Sequence, residues 1–394
     1  MLGRGGNHDY YFGGWKYWHY EEMLNRAPLP ENEIWQTEKW QAALSLKGIK
    51  LYKMPSDPAE SFRTHSNYIQ AFRLLVHDPI SSLRRNIYAL LRGRILDGNA
   101  LPQSSGAIID LDQVRSSLHS AWGTETLLSM TCRIIDEEEL LRLSNNWSAI
   151  QVYYVFYHCT QALHVAKGHP RPESHPSTQQ LFYDYWAARS ICLPPWSLAF
   201  GVDGAKNAPP GITADVSVHA WTACAGDNIW SLVFKALMTT RRERLDEKYR
   251  ELRESKKRLK RRAWKRQEDG RIARGRKPRL EPNFPLPRLT EQEKEQADNR
   301  LRPFSIMDYL YRVRIKTNYE DSNMFSDGPE DNNSSRRIRS AFCIMASGTL
   351  FLHELAIRNL VGREIFLAWA DEWIRKNMPQ NLNYGLVTRR QYLA

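Results

Sequence analysis

The chain has 394 residues, 42% of them hydrophobic, with 13 Trp and with 56 Lys+Arg against 44 Asp+Glu. These values allow a sizeable buried core and exclude wholesale disorder. The net charge of +12 is local: residues 241–279 hold 19 basic and 7 acidic residues, and the remainder holds 37 of each sign. A block of this kind points first to a polyanion such as nucleic acid. A solvated charged helix, a membrane surface or an acidic protein would leave the same mark.

Five cysteines, at 132, 159, 192, 224 and 343, are scattered and include no C-x-x-C. Neither a disulfide framework nor a zinc site is expected, and no metal or cofactor; reduced thiols suit a cytoplasmic location. The first residues lack an apolar signal segment, and the longest near-apolar stretch, 341–352, is about 12 residues, too short to span a bilayer. No membrane partner is expected.

Residues 1–50 are rich in aromatics (Tyr10, Tyr11, Phe12, Trp15, Trp18, Trp35, Trp40), for which core packing is the expected role ahead of a platform for bases. Apolar periodicity predicts helices over 60–77 and 80–95, broken at Asp78-Pro79, then a loop at 98–106. A third helix is expected near 111–121, and acidic residues 136–139 introduce a fourth. Ser148-x-x-Gln151 reads as a capping box and Gly168 as a C′ glycine. Between them Ala149, Val152, Tyr153, Phe156, Thr160 and Leu163 make an apolar stripe, and Ile150, Val155 and Val165 lie off it, so this helix is expected to be central. Ser177 or Thr178 is expected to cap a short helix through Trp186. Residues 190–226 look irregular, with one strand at most, over 216–221.

A long helix is expected from Asp227, buried at Ile229, Val233, Phe234 and Leu237, basic beyond Thr240, and ended near Gly275. Four prolines between 278 and 290 make an extended linker. Ser305-x-x-Asp308 is a second capping box. An exposed loop is expected over 326–335, then a long helix over 335–361 ended by Gly362, and a last helix holding Phe366, Trp369 and Trp373. Within the long helix, the small residues 346–349 suit close helix packing. The resulting organisation is mainly α. It has an N-terminal helical region (1–145), a first half-bundle with an irregular insertion (146–240), a basic helical arm with its linker (241–300) and a second half-bundle (301–394).

On a continuous helix from Ser305, Arg314, Asn318 and Asp321 share one flank of the apolar stripe, and Arg312 and Tyr319 face the other way. Intrahelical contacts are the plain reading of that row; a groove between helices is the functional one. His158 points away from the main stripe of its helix, and His175 precedes the short helix. His353-Glu354 begins like H-E-x-x-H, but Ile357 stands where the second ligand would be. There is no G-K-[ST] and no G-x-S-x-G.

Two segments together resemble a known family. Tyr153-Tyr-Val-Phe-Tyr-His-Cys-Thr-Gln-Ala-Leu-His-Val-Ala-Lys-Gly168 with His175, and Tyr309-Leu-Tyr-Arg-Val-Arg-Ile-Lys-Thr-Asn-Tyr-Glu-Asp321, resemble HEPN-type helical domains. The resemblance covers about 110 residues in pieces and implies an antiparallel bundle of four or five helices, often dimeric. It also implies a metal-independent ribonuclease of the kind found in bacterial toxin–antitoxin and phage-defence systems. In such a site an arginine and a histidine handle phosphate charge and proton transfer. Here Asn318 stands where the motif has its histidine. The candidate catalytic set is therefore Arg314 and Asn318 with His158 or His175. The candidate phosphate-holding set is Arg241, Arg242, Lys256, Lys257, Arg258, Lys260, Arg261, Arg262, Lys265, Arg266, Arg274, Arg276 and Lys277. RNA is the expected polyanion ahead of DNA. The alternative is a non-catalytic scaffold or subunit whose arm docks nucleic acid or a protein, and a homodimer fits either reading.

Overall fold

The computed structural model describes residues 57–76, 91–93, 95, 108–134, 137–189, 193–207, 228–378 and 385–394. The aromatic segment 1–50, the loop at 98–106, the strand expected over 216–221 and most of the helix expected over 80–95 lie outside these residues. The fold is mainly α-helical, as expected, with one small three-stranded sheet among the described residues.

Helix α1 is Pro58–Val76. Helix α2, Leu111–Ile134, runs well past residue 121 because Val114, Leu118, Ala121, Trp122 and Leu128 keep a buried stripe going. Helix α3 is a single element, Glu138–Ala166, where two were expected. Ser148 does not cap it: the hydroxyl donates to the Ser144 carbonyl at 2.9 Å, one turn back inside the helix. The end is as expected. Gly168 takes φ +82° and its N–H donates to Val165 O at 2.8 Å, which closes the last turn.

Helix α4, His175–Phe182, is capped by Ser174, whose hydroxyl accepts the Ser177 N–H at 3.2 Å, rather than by Ser177 or Thr178. A π-helical turn, Tyr183–Ala187, continues it. The segment read as irregular carries a hairpin, β1 Ala199–Gly201 with β2 Gly204–Lys206, and β3 Phe304–Ser305 pairs antiparallel with β1. Helix α5, Asn228–Ile272, is 45 residues long. The linker then leads into a helix that sequence reasoning missed, α6 Glu291–Asn299, which opens on a capping box at Thr290 and Glu293. Helix α7, Ile306–Ile315, opens on the Ser305–Asp308 box, with the Ser305 N–H donating to Asp308 at 2.8 Å. A π-helical turn, Lys316–Glu320, follows.

The loop expected to be exposed is partly buried. Phe325 packs edge-on against Phe62 and Phe342, and Ser326, Gly328 and Pro329 are covered. A Cβ on Gly328 would lie 2.5 Å from both Phe62 Cβ and the Pro58 carbonyl oxygen. Gly328→Ala is expected to cost about 1–3 kcal/mol through overpacking, read as a lower denaturation midpoint. An unchanged midpoint would contradict this packing.

Helix α8, Asn332–Val361, is the core helix. It lies parallel to α3, since Asn145 bonds Ser335 and Arg339 at one end while Thr160 meets His353 at the other. Consecutive α2 and α3 run antiparallel across a three-residue connection, and Trp122 meets Glu354 while Thr131 meets Arg339, so α2 opposes α8. The bundle is thus of mixed direction, not antiparallel throughout. At Gly348 a Cβ would come within 2.8 Å of Val76 Cγ1 and 3.1 Å of Trp196, which is the close packing expected of residues 346–349. Among the described residues α8 alone is long and apolar enough to cross a bilayer, longer than its near-apolar stretch suggested; 78% of its most apolar window is buried in the protein. Helices α9, Arg363–Asn377, and α10, Leu386–Leu393, close the chain; α10 was not foreseen. From Pro55 to Ala394 the chain is one compact unit, so the divisions drawn at 145, 240 and 300 fall within one body.

His353 is fully buried and structural. Its Nδ1 faces the Thr349 carbonyl at 2.8 Å, and its Nε2 accepts the Trp186 indole N–H at 3.0 Å. Both bonds suit the neutral ring, and burial pushes its pKa down to about 4. An unfolded chain would protonate it below about pH 6.5. Stability is therefore full above that pH and falls as pH drops towards 4, by about 3 kcal/mol from this residue. Denaturation followed from pH 7 to 4 should show His353→Gln losing less stability over that range than the wild type; equal losses would contradict the assignment.

Candidate nucleic-acid interface

The basic segment forms a hairpin. Helix α5 would span about 68 Å at 1.5 Å per residue. It ends on Gly275, at φ +74°, with Gly275 N–H donating to Ile272 O at 2.8 Å and Arg276 N–H to Arg271 O at 3.2 Å. The chain then returns alongside. The Arg279 backbone N–H and guanidinium each donate to the buried Glu268 carboxylate at 2.7 Å, and Trp264 packs edge-on to Phe284. Arg261 pairs with Glu281, Lys256 with Glu293 at 2.5 Å, and the Tyr249 hydroxyl reaches the Lys294 carbonyl.

These contacts divide the thirteen candidate cations. Arg241 is buried, donating to the Asp298 carboxylate at 2.5 Å and to the Asp298 and Leu301 carbonyls. It anchors the hairpin and is not free to hold a phosphate, which corrects the sequence assignment. Lys256 and Arg261 are tied to the return segment. Arg242, Lys257, Arg258, Lys260, Arg262, Lys265, Arg266, Arg274, Arg276 and Lys277 have no carboxylate partner among the described residues, and all but the half-buried Lys257 are exposed. At about 100° per residue, Arg258, Arg262, Lys265 and Arg266 share an arc of about 100°, turned away from Trp264 and Glu268. They form a continuous basic face on a braced helix.

The second candidate site is also brought together, in part. The Arg314 guanidinium lies over the rings of Tyr154, Tyr153 and Tyr311 at 5.3, 5.6 and 5.7 Å, and donates to the Tyr154 hydroxyl at 3.2 Å. The Tyr153 hydroxyl and His175 Nδ1 are 2.7 Å apart. Burial raises the Tyr153 pKa, so the phenol keeps its proton; which partner donates in this bond follows from the His175 tautomer. His158 stacks on Tyr154 at 5.8 Å, and Tyr157 lies against both histidines. Burial, then the charge of Arg171, pushes the His158 pKa down to about 4; burial and Arg314 lower that of His175. Both rings are neutral near pH 7. The buried Nε of Arg314 and Nδ1 of His158 have no hydrogen-bond partner among the described residues.

Asn318 is not tied to them: its side chain makes no hydrogen bond among the described residues. The cause is the π-helical turn. From Lys316 the ladder steps to i→i+5, closed by Asp321 N–H on Lys316 O at 2.7 Å, so a flank worked out for a continuous α-helix fails beyond Ile315. Asp321 is buried. Nor does the cluster face the arm. Arg312, about 200° round α7 from Arg314, pairs with Glu243 at the root of α5, while Arg314 faces α3.

The four tyrosines are the part sequence reasoning undervalued; Tyr153, Tyr154 and Tyr157 recur at one and four residues, a spacing that puts them on adjoining faces of α3. Beside the cluster lies a cleft of about 640 Å³, where Gln161 accepts from Arg171 at 3.1 Å and donates to the Pro172 carbonyl at 2.9 Å. No protein-family model, curated protein or solved structure matches this chain.

Proposed function

We propose that this protein binds nucleic acid, RNA ahead of DNA, through the basic face of the α5 hairpin. The observation that carries the reading is a braced helix presenting adjacent exposed cations without carboxylate partners. A merely solvated charged helix tends to pair its charges along its own length, as the root of α5 does between Arg244, Glu247, Lys248 and Glu251. Beyond Glu254 pairing along the helix is confined to Glu268 with Arg271, Lys256 and Arg261 pair with the return segment, and Arg258, Arg262, Lys265 and Arg266 have no carboxylate partner among the described residues. The resemblance to HEPN-type domains supports the same reading. The test is binding of a labelled single-stranded RNA across a salt series, wild type against a variant with Arg258, Arg262, Lys265 and Arg266 all replaced by Ala.

A second reading, metal-independent RNA cleavage, is favoured by the meeting of Arg314, His158 and His175. Arg314 supplies charge for a phosphate, and His158, a neutral acceptor, takes the proton of the RNA 2′-hydroxyl as that oxygen attacks phosphorus. The P–O5′ bond breaks to leave a 2′,3′-cyclic phosphate, the departing 5′-oxygen takes a proton from water, and His175 lies beside them. With a chelator present, Arg314→Ala is expected to slow cleavage about a hundredfold or more. Cleavage at the wild-type rate in that variant would rule this site out.

A further inference from the structure

Two large rings, one on α3 and one on the π-helical turn after α7, are exposed where burial is the rule. Trp147 is 68% exposed, and Tyr319, on the π-helical turn, is 72% exposed. The two segments are tied together, since the Asn146 side chain donates to the Ser322 carbonyl at 2.6 Å. Along α3, Trp147, Tyr154, His158 and Gln161 fall within an arc of about 60°, so one face leads from the exposed indole into the tyrosine–histidine cluster; the Arg171 cleft beyond it is also lined by Asp110 and Glu173. From Trp147 to Arg171 the chain has no Asp or Glu; Arg171 is exposed and Lys167 buried. Arg314 adds a cation from α7. Nearby Glu320 is paired with Arg312.

We infer that this face is the path of an unpaired nucleic-acid strand, with Trp147 and Tyr319 as platforms on which bases stack. A stacked base needs an open ring, and a strand's phosphates need a run without carboxylates; both are present along this one helix face. Leu140 and Leu143 are also exposed on α3, N-terminal to Trp147, and would suit a protein partner. Charge decides between the two, because Glu137 and Glu139 lie at the leucine end while the acid-free run begins at Trp147. The inference rests on the nucleic-acid reading above, but stacking and phosphate contact leave different signatures. Losing a stacked ring lowers affinity and leaves the salt slope alone, whereas losing a phosphate contact lowers the slope.

The test is anisotropy binding of a labelled single-stranded RNA and of an RNA duplex to the full chain, across a salt series. Trp147→Ala, Tyr319→Ala, the double variant and Trp147→Phe are compared with wild type; both positions are exposed, so these variants should fold. The double variant is expected to bind the single strand about tenfold or more weaker, with unchanged salt slope and unchanged duplex binding, and Trp147→Phe to retain most of the affinity. That result stands even if the four-alanine arm variant binds like wild type, in which case only the arm reading fails. Unchanged single-strand affinity in the double variant, as a protein-docking face would give, overturns the inference. So does an equal loss of duplex binding.

Discussion

Replacing Arg258, Arg262, Lys265 and Arg266 by Ala is expected to lower the slope of log affinity against log salt for single-stranded RNA by about 3. Each phosphate contact contributes roughly 0.7 to that slope on a single strand. Extrapolated to physiological salt, the same four contacts amount to a loss on the order of a hundredfold. The fold should survive, because these side chains project away from Trp264 and Glu268, which hold the return chain. Arg241→Ala is the informative contrast. It should loosen the hairpin root by breaking three hydrogen bonds, and its binding loss should track the loss of hairpin stability, not a missing phosphate contact. A four-residue variant with wild-type slope and affinity would remove the basic face from the account.

Arg389→Ala is expected to destabilise the protein by about 3–5 kcal/mol, the largest stability effect of any single change considered, because it strands two buried glutamates. Arg389 and Glu354 are fully buried and Glu125 nearly so. The guanidinium donates to Glu354 through Nε and Nη2 at 2.8 Å each, to Glu125 at 2.9 Å and to Ser347 at 2.8 Å, and it also forms a short contact with the second Glu125 oxygen. Trp122 donates to the same Glu354 carboxylate at 2.8 Å. One side chain thus ties α10 to α2 and α8. Its neighbour is the control. Arg390 pairs with Asp371 near the surface, and Arg390→Ala should cost less than about 1 kcal/mol. Denaturant unfolding of the two variants should separate them clearly; equal costs would show that the buried network does not hold the C-terminal helix.

Local signals were legible in the sequence, and tertiary ones were not. Gly168 and Gly275 ended their helices, and Ser305 with Asp308 opened α7, because a cap is settled by neighbours in the chain. Thr290-Glu-Gln-Glu293 was a signal of the same kind for α6, hidden by the prolines before it. Ser148 misled because the same S-x-x-Q spacing also occurs inside a helix, where the hydroxyl can bond back to the preceding turn. Arg314, Asn318 and Asp321 were read as one flank of a continuous helix, and the π-helical turn that interrupts it from Lys316 leaves no mark in apolar spacing. Arg241 looked like one cation of many; only the fold brings Asp298 and Leu301 to it. Trp147 carries no local signal that sets it apart, and its exposure follows from the packing around α3.

The most direct measurement is amine-reactive footprinting of the RNA complex. Lys260, Lys265 and Lys277 are exposed without carboxylate partners on the hairpin, while Lys376 is 60% exposed and lies on α9, away from the arm. Bound RNA is predicted to shield the three hairpin lysines and to leave Lys376 as reactive as in the free protein. Hairpin lysines that stay fully reactive while RNA is bound would contradict the arm as the binding surface.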